Sequence, residues 1–445
     1  MIFTFIKYTH PSWQFNIRPW SFCFPSAYTN NLDEMNGFID NRYETESARI
    51  ADAGFRLWNK GVLLQTNKDT EDQLESLSKP SLHDEYIFIR KYWGFVWATF
   101  ALLLRLLSFK NPFKEIKEYL GTRHIEKVNA FNDPVQYEYE SFYSQLIEEA
   151  PLVAVIIPTL NRYTYLKDVL HDLEKQSYKN FEVIVVDQST QIKTDFYEGF
   201  DLSIRLVCMF DRKLWTARNK AVMVTDAEYL LFFDDDSRVG EDWIAHHLKC
   251  LDFFKADISA GVSLAKAGMK IPENYSYFRW ADQFDSGNAM VKREVFKKIG
   301  LFDEQFNGLR MGDGEFGYRA YRNGLRSISN HKASRIHLKV ASGGLREMGS
   351  WDGFRPKKWF APKPVPSVIY LYQKYLSPAL YRNALLMGIM LSNVPYKYKR
   401  SSRMLMLSVL LTILKSPVLA IQYYRAKQFA KKMIERDKGF VLLEK

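Results

Sequence analysis

The amino-acid sequence predicts an α/β fold in which a mostly parallel central sheet lies between helices. From about residue 151, the runs "LVAVIIP" and "FEVIVVD" are short, continuous and rich in β-branched residues, as is typical of strands covered on both faces. Between these runs, Leu166, Val169, Leu170 and Leu173 recur at the spacing of one helix face. A strand, a helix and a strand within roughly 35 residues form a βαβ unit, whose crossover is almost always right-handed.

The alternation continues through "IRLVC", a helix around "ARNKAVMVTDA" and the strand "EYLLFF". Because the carboxyl ends of parallel strands open at one edge of a sheet, we expect the polar residues that follow these strands to share one crevice. These residues are Thr159, Asn161 and Arg162 after the first strand, Asp187 after the second, and Asp234, Asp235 and Asp236 after "EYLLFF".

The three adjacent carboxylates Asp234, Asp235 and Asp236 need a partner. At the tip of an apolar strand they repel one another unless water, hydrogen-bond donors or a cation screens their charges. Mg²⁺ or Mn²⁺ suits one or two carboxylates together with phosphate oxygens. The alternative is a solvated helix N-terminus before "EDWIAHHL", but the position at a strand end favours a cation site.

Five segments, in this order, resemble the motifs of the family 2 glycosyltransferases with a GT-A fold. The resemblance covers about residues 151–340 and implies an inverting, metal-dependent transfer of a sugar from a nucleotide-diphosphate donor to a hydroxyl of a saccharide or lipid-linked acceptor. It further implies a role in cell-envelope polysaccharide or glycolipid synthesis. The segments are "VAVIIPTLNRYTYLKDVLHDLEKQSYKNFEVIVVDQST", "ARNKAV" followed by "AEYLLFFDDDS", "SGNAMVKREVFKKIGLFDEQF", "GDGEFGYRAYRNGLRS" and "ASRIHL".

The resemblance also implies roles for single residues. Asp313 aligns with the catalytic base, and Asp236 and His337 align with residues that hold Mn²⁺ or Mg²⁺. Without the resemblance, Asp313 could equally be a helix-cap aspartate and His337 a histidine satisfied at a strand end. The residues implied to bind the nucleotide-sugar are Pro158, Thr159, Asn161, Arg162, Asp187, Arg218, Asn219, Asp234 and Asp235.

Two positions depart from the family pattern. Gln188 follows Asp187 where the family often has a second Asp, which leaves the choice of nucleotide open. Gly312 precedes Asp313 where many members have Glu, so the base lacks its usual acidic neighbour.

Three further residues are candidates for acceptor or lid contacts. Glu315 is either a partner of the base, an acceptor contact or an exposed first-turn glutamate. Arg346 and Trp351 follow the glycine pair at 343–344. In a lid, the arginine would clamp phosphate and the tryptophan would stack on the sugar; the alternative is an ordinary connecting loop.

Two other functions compete with glycosyl transfer. A nucleotidyltransferase uses a similar nucleotide-binding sheet, but this chain has "PTLNRYTY" where such an enzyme has a glycine-rich loop bearing Lys or Arg. An inactive nucleotide-sugar-binding protein is the other alternative. The presence of Asp236, Asp313 and His337 together argues against it.

Composition divides the chain into three parts. Residues 1–150 are predicted to be an accessory region of unknown role, 151–340 the GT-A domain and 341–445 a basic, helical extension. The apolar segment 92–109 is either an interfacial helix or a helix docked on the catalytic domain. The apolar segment 404–421 is a membrane-surface helix, a packed core helix or a span.

Charge is concentrated in the tail. From Lys339 onward there are 20 Lys and Arg against 5 Asp and Glu, a net +15 within a total of +11. This indicates contact with an anionic membrane surface, whereas the tail lacks the aromatic and basic interleaving of a nucleic-acid groove. With three scattered cysteines and no recognisable secretory signal in "MIFTFIKYTHPSW", we expect a cytoplasmic location, with the inner face of the cell membrane as an open alternative.

Overall fold

The structure is a computed structural model. It describes residues 3–9, 37–63, 78–282, 284–340, 353–356, 358–395, 398 and 401–444.

The chain divides into two compact units. The first comprises Met1–Val135, Lys357–Pro364 and Tyr372–Arg425, and the second comprises Gln136–Pro356, Val365–Leu371 and Ala426–Lys445. The three-part division predicted from composition stays a prediction.

Among the described residues, nine strands form one sheet, which belongs to the second unit. Their order across the sheet is β3-β2-β1-β4-β8-β6-β9-β5, and β7 pairs with β9. The strands are β1 (Val153–Thr159), β2 (Phe181–Asp187), β3 (Ile204–Cys208), β4 (Tyr229–Phe233), β5 (Ser237–Val239), β6 (Ile258–Leu264), β7 (Arg279–Trp280), β8 (Asn288–Lys292) and β9 (Ser327–His337).

Most strands of this sheet run in one direction. β1 is parallel to β2 and β4, and β2 is parallel to β3. β8 is antiparallel to both β4 and β6, so β6 points the same way as β4, and β9 is parallel to β6. Only β5, β7 and β8 oppose this direction in the part of the sheet that is described. All seven residues of β1 are buried, as its apolar run predicts.

Helices flank the sheet: α7 contacts β5, α8 contacts β1 and β2, and α9 contacts β6, β8 and β9. This arrangement confirms the predicted α/β fold with a mostly parallel central sheet flanked by helices. In chain order the helices are α1 (Ile6–Thr9), α2 (Glu46–Asn59), α3 (Leu82–Trp93), α4 (Phe95–Leu107), α5 (Pro112–Gly121), α6 (Gln145–Glu149), α7 (Tyr163–Glu174), α8 (Leu214–Met223), α9 (Trp243–Phe253), α10 (Arg293–Ile299), α11 (Gly312–Arg322), α12 (Pro366–Tyr375), α13 (Pro378–Ser392), α14 (Ser402–Leu414) and α15 (Ser416–Glu435).

An aromatic cluster fixes α11 against the sheet. The ring of Phe302 lies 5.2 Å from Phe232 of β4, 5.4 Å from Phe296 of α10 and 4.7 Å from Phe316 of α11. Aromatic pairs at these distances add attraction beyond the area they bury. The cluster therefore holds the first turn of α11, which carries Asp313, in a defined position.

The apolar segment 92–109 of the first unit is not one helix. α3 ends at Trp93 and α4 begins at Phe95, because Gly94 between them has a φ of +85°, a conformation that glycine adopts without strain. Ala98, Ala101 and Leu102 of α4 pack in a buried cluster with Phe5, the residue just before α1. The rest of α4 is less covered.

The apolar segment 404–421 likewise falls on two helices, α14 and α15, which meet at Lys415. In the described residues no single helix has the length and apolar character needed to cross a membrane. By length and composition alone, Arg403–Leu414 and Ser416–Glu435 meet that requirement as a pair, with a bend of 78° between them.

Candidate active site

The polar ends of the first, second and fourth strands meet at one edge of the sheet, as predicted. β2, β1 and β4 are neighbours and parallel, and Thr159 and Asp187 are directly paired in register at the ends of β1 and β2. The hydroxyl of Thr159 donates a hydrogen bond of 2.8 Å to Oδ2 of Asp235, which follows β4. The ends of β1 and β4 are thus in direct contact.

Arg162 lies between two members of the acidic triplet. Its Nη1 is 3.0 Å from Oδ1 of Asp235 and 3.3 Å from Oδ2 of Asp236, and all three side chains are buried. Burial raises the pKa of Asp235 to about 6, and the neighbouring charge of Asp236 also raises it, whereas Arg162 acts in the opposite direction. The site therefore favours any cation that comes close to Asp235.

Asp234 is held by two arginines. Nη2 of Arg218 lies 3.1 Å from its Oδ1, and Nη1 of Arg335 lies 2.8 Å from its Oδ2. Burial alone would raise the pKa of Asp234, but the charges of Arg335 and Arg218 outweigh it and keep the pKa below the ordinary value. Gly287 packs so closely that a Cβ there would overlap the Asp234 carboxylate and the Arg335 guanidinium.

Arg335 was not predicted from the sequence. Its side chain is 2% exposed, and besides Asp234 it binds both oxygens of Asp285 at 3.1 Å and the hydroxyl of Ser263. Asp285 and Asp234 raise the pKa of Arg335 although burial opposes this. One signal was present: Arg335 is two residues before His337, so on a strand both side chains point to the same face.

Asp234, Asp236 and His337 could hold a metal ion. Each offers one ligand atom, and these atoms lie within 4.8 Å of one another. The pairing of Ser237 with His337 between β5 and β9 puts the histidine beside the triplet, with its Nε2 3.3 Å from Oδ1 of Asp236. Adjacent ligands of an octahedral ion with bonds of about 2.1 Å are roughly 3 Å apart, so these two atoms fit Mg²⁺ or Mn²⁺.

Asp313 lies in the first turn of α11, where a carboxylate is favoured by the helix dipole. Its Oδ1 accepts hydrogen bonds from the hydroxyl of Ser286 and, at 3.1 Å, from the Ser286 backbone N–H. Burial raises the pKa of Asp313 and Asp285 adds to this, while Arg218 and the bonds from Ser286 oppose it. Ser286 was not predicted as a site residue; it opens the motif "SGNAMVKREVFKKIGLFDEQF", but the motif does not reveal its contact with a helix 27 residues later.

Steric crowding explains why a glycine precedes Asp313. A Cβ at Gly312 would overlap the ring of Trp215 in α8. Trp215 is itself buried and lies beneath the guanidinium of Arg218, with 5.2 Å between the carbon of the guanidinium and the ring centroid. The tryptophan therefore occupies the space that a larger residue at position 312 would need.

Asp187, the residue predicted at the nucleotide base, is fully buried. Its Oδ2 accepts hydrogen bonds from the hydroxyls of Tyr163 at 2.6 Å and Tyr197 at 2.8 Å. Its Oδ1 accepts one from the backbone N–H of Ser189 at 2.9 Å. Neither tyrosine was predicted. Tyr163 directly follows the motif residue Arg162, but no sequence feature connects Tyr197 to this site.

Two buried side chains near these residues carry hydrogen-bond donors without a partner among the described residues. They are Nε2 of Gln188 and both Nε and Nη1 of Arg218. Gln188 uses its Oε1 to accept a bond from the backbone N–H of Lys213. Because buried donors are seldom left unsatisfied, these groups suit a ligand that carries acceptor oxygens.

Three other residues that were predicted to bind the nucleotide-sugar contact their own neighbours in the protein. Pro158 is buried within β1. Asn161 has a φ of +55°, and its backbone N–H donates to the hydroxyl of Ser189. The amide of Asn219 bonds to both the carbonyl and the N–H of Phe302. Asn219 thus ties α8 to the aromatic cluster, and its contact with a nucleotide stays a prediction.

Glu315 is 1% exposed and forms an ion pair of 2.9 Å with Arg319, one turn along α11. This pair accounts for the glutamate within the protein, and it is not the exposed first-turn residue considered above. Arg346 and Trp351 lie outside the described residues, so their role in a lid stays a prediction.

Comparison with known proteins gives relatives for this region. Residues 154–312 match the profile of Glycosyl transferase family 2. The putative teichuronic acid biosynthesis glycosyltransferase TuaG of Bacillus subtilis is 34% identical over 104 residues, which cover 22% of this chain and 41% of TuaG. A PGL/p-HBAD biosynthesis glycosyltransferase of Mycobacterium bovis is 28% identical over 165 residues, covering 34% of this chain and 61% of that protein. The chain thus spans less than two thirds of the length of these relatives.

Two solved structures match part of this chain at low sequence identity. Staphylococcus aureus TarS in complex with UDP-GlcNAc has a TM-score of 0.39 and 18% identity, covering 63% of this chain and 74% of that one. The mannosyltransferase PcManGT of Pyrobaculum calidifontis, with GDP-Man and Mn²⁺, has a TM-score of 0.39 and 15% identity, covering 67% and 92%. The match places residues 154–312 in a region similar to Glycosyl transferase family 2, in agreement with the order of the motifs.

Proposed function

We propose that the protein transfers a sugar, with inversion, from a nucleotide-diphosphate donor to a hydroxyl of a saccharide or lipid-linked acceptor. The observation that carries the proposal is the position of Arg218. Its buried guanidinium binds Asp234 of the Asp234, Asp236 and His337 cluster and interacts electrostatically with Asp313. A site suited to a cation and a candidate base are thereby linked through one arginine.

The step assigned to Asp313 is proton removal. Ser286 engages Oδ1 and orients the carboxylate, so that the other oxygen can accept the proton of the acceptor hydroxyl. As that proton leaves, the hydroxyl oxygen bonds to the anomeric carbon and the bond from that carbon to the diphosphate breaks. Attack from the face opposite the departing group inverts the configuration. The raised pKa makes Asp313 a stronger base once it is ionised.

We assign binding of the donor diphosphate and its cation to Asp236, His337 and Arg218. Asp236 and His337, with Asp234 beside them, would hold Mn²⁺ or Mg²⁺, and a divalent ion bound there supplies charge stabilisation to the departing diphosphate. The unpartnered Nε and Nη1 of Arg218 are suited to phosphate oxygens.

We assign binding of the nucleoside part of the donor to the ends of β1 and β2. Asp187 would accept a hydrogen bond from the base, and Tyr163 and Tyr197 fix its carboxylate. The free Nε2 of Gln188 would donate to an acceptor oxygen, which supports a nucleotide contact made by this residue in place of the family's second aspartate. The same region would bind the donor through Thr159 and Arg162.

Cell-envelope polysaccharide or glycolipid synthesis is the proposed setting. The relatives named for teichuronic acid and for PGL/p-HBAD biosynthesis support it. We further propose that the protein is peripheral on the inner face of the cell membrane. The exposed apolar side chains of α14 support this, since they lie between Arg403 and Lys415; they include Met406, Leu410, Ile413 and Leu414.

A donor screen tests the proposal. UDP-, GDP- and dTDP-sugars are added with Mn²⁺ or Mg²⁺, and thermal stabilisation and nucleotide release are both measured. One donor should stabilise the protein and release its nucleotide when acceptor is present. Stabilisation with no release under any condition would instead indicate an inactive binding protein. If no donor stabilises the chain, the transferase proposal is wrong.

A further inference from the structure

Helix α5 of the first unit buries a glutamate and leaves several apolar side chains exposed. Glu115 is only 2% exposed and accepts hydrogen bonds from Tyr86 at 2.8 Å and from Nε of Arg105 at 2.8 Å. On the opposite side of the helix, Phe113 and Leu120 are 86% and 53% exposed. A helix that packs only within a water-soluble unit shows the reverse pattern, with apolar residues toward the core.

The exposed apolar residues extend beyond α5 into the turn before it. Phe113, Ile116 and Leu120 are spaced by three and four residues and therefore share one helix face. Leu107 at the end of α4 and Phe109 in the turn are also exposed, Phe109 at 97%. We call these five residues, Leu107, Phe109, Phe113, Ile116 and Leu120, the α4–α5 surface.

The conformation of the turn is consistent with a functional surface. Phe109 has a φ of +56°, which bulky side chains seldom adopt. Its backbone N–H donates to the carbonyl of Leu106, and Asn111, the N-cap residue of α5, accepts a hydrogen bond from the backbone N–H of Lys114 with its side chain. The phenylalanine is therefore held outward by a defined turn.

Most of the exposed charges beside this surface are positive. Lys110, Lys114, Lys117 and Arg123 are exposed, and every residue from 103 to 124 is described. The acidic residues of this stretch are Glu115, which is buried, and Glu118, whose carboxylate lies 2.9 Å from His83 and 3.9 Å from Lys117; Glu126, two residues beyond the stretch, is exposed. Lys114 and Lys117 lie on α5 itself, beside the apolar face.

We propose that the α4–α5 surface inserts into an anionic phospholipid bilayer, with Phe109 and Phe113 among the acyl chains and the lysines at the headgroups. Interfacial helices combine an apolar face with flanking basic residues in this way, and anionic lipid attracts the latter. A second copy of this chain fits less well, because identical clusters of cations would repel each other. The inference extends the membrane location proposed above and does not depend on sugar transfer.

Vesicle binding by the full chain tests the inference. The probes are vesicles of phosphatidylcholine alone and of phosphatidylcholine with phosphatidylglycerol, and binding is measured by co-sedimentation at low and high salt. The wild type should bind the anionic vesicles and release them as salt rises. The triple substitution Phe109→Ser, Phe113→Ser and Leu120→Ser should lower the partition coefficient at least about tenfold, since each change removes an inserting apolar side chain.

Charge reversal gives a second arm with a matched control. Lys114→Glu with Lys117→Glu should weaken binding to anionic vesicles only, whereas Lys167→Glu on the exposed face of α7 should leave binding unchanged. Hydrogen exchange of the wild type should slow at residues 109–120 when vesicles are added. That measurement needs no variant and so is independent of how the variants fold.

Three results would overturn the inference: no binding of the wild type to either vesicle, binding by the triple variant equal to the wild type, or unchanged exchange at residues 109–120. Sedimentation that shows a wild-type dimer and a monomeric triple variant would assign the surface to self-association instead. Donor-induced thermal stabilisation of the triple variant should match the wild type. Loss of vesicle binding can therefore be distinguished from failure of the proposed transferase function.

Discussion

Replacing Ser286 with alanine should slow sugar transfer and shift its pH dependence. The substitution removes the hydroxyl that donates to Oδ1 of Asp313 and keeps the backbone N–H that donates to the same oxygen at 3.1 Å. A hydrogen bond to a charged group contributes about 1.5–3 kcal/mol. If the orientation that this bond gives the carboxylate contributes as much to the transition state, kcat/KM should fall by about 10- to 150-fold, at 1.4 kcal/mol per factor of ten.

The pH profile distinguishes this role from a structural one. Asp313 acts in its ionised form, so kcat/KM rises with pH through its pKa. Burial already raises that pKa, and the bond from Ser286 opposes the rise. Ser286→Ala should therefore move the acidic limb of the profile to higher pH, and Ser286→Thr should restore it. The exposed Ser276 bonds only to a backbone carbonyl, which makes Ser276→Ala the matched control. A variant with wild-type rate and an unmoved limb would refute the reasoning.

Three further outcomes are expected. Gly312→Ala should lower the midpoint of thermal unfolding, because overpacking against Trp215 costs about 1–3 kcal/mol, whereas Gly314→Ala in the same helix meets its neighbours at ordinary contact distance and should not. Arg335→Met should destabilise the protein by about 3–5 kcal/mol in denaturant unfolding, since it removes one of the two arginines that bind Asp234 and the arginine that binds Asp285. Arg322→Met on the exposed side of α11 should change little, and equal effects would contradict this account. A chelator should remove donor-induced thermal stabilisation and added Mn²⁺ or Mg²⁺ should restore it, while full stabilisation in chelator would exclude a role for the metal.

The sequence was sufficient for the parts of the fold that follow from local pattern. Burial of Leu166, Val169, Leu170 and Leu173 on α7 agrees with their helical spacing, and the strand ends converge because parallel strands end at one edge. The neighbourhood of the triplet and His337 followed from the family motifs. These features depend on period, order and strand direction, which a sequence displays directly.

Contacts between distant segments could not be predicted in the same way. Arg335 and Asp234 are 101 residues apart, and Ser286 meets Asp313 only because the aromatic cluster holds α11 against the sheet. The break at Gly94 was missed because the apolar run around it continues without interruption. The inward-facing Glu115 was unpredictable since its burial depends on Arg105 and Tyr86, which come from two other helices.

The most direct test of the central claim is to measure donor affinity and turnover of Asp313→Asn together. The substitution keeps the size and the hydrogen bonds from Ser286 but removes the base. With the donor found in the screen, Kd should stay within about threefold of the wild type, and kcat should fall by about 10²–10⁴, the range contributed by a general base. Turnover close to the wild type with unchanged Kd would contradict the assignment of Asp313 as the base.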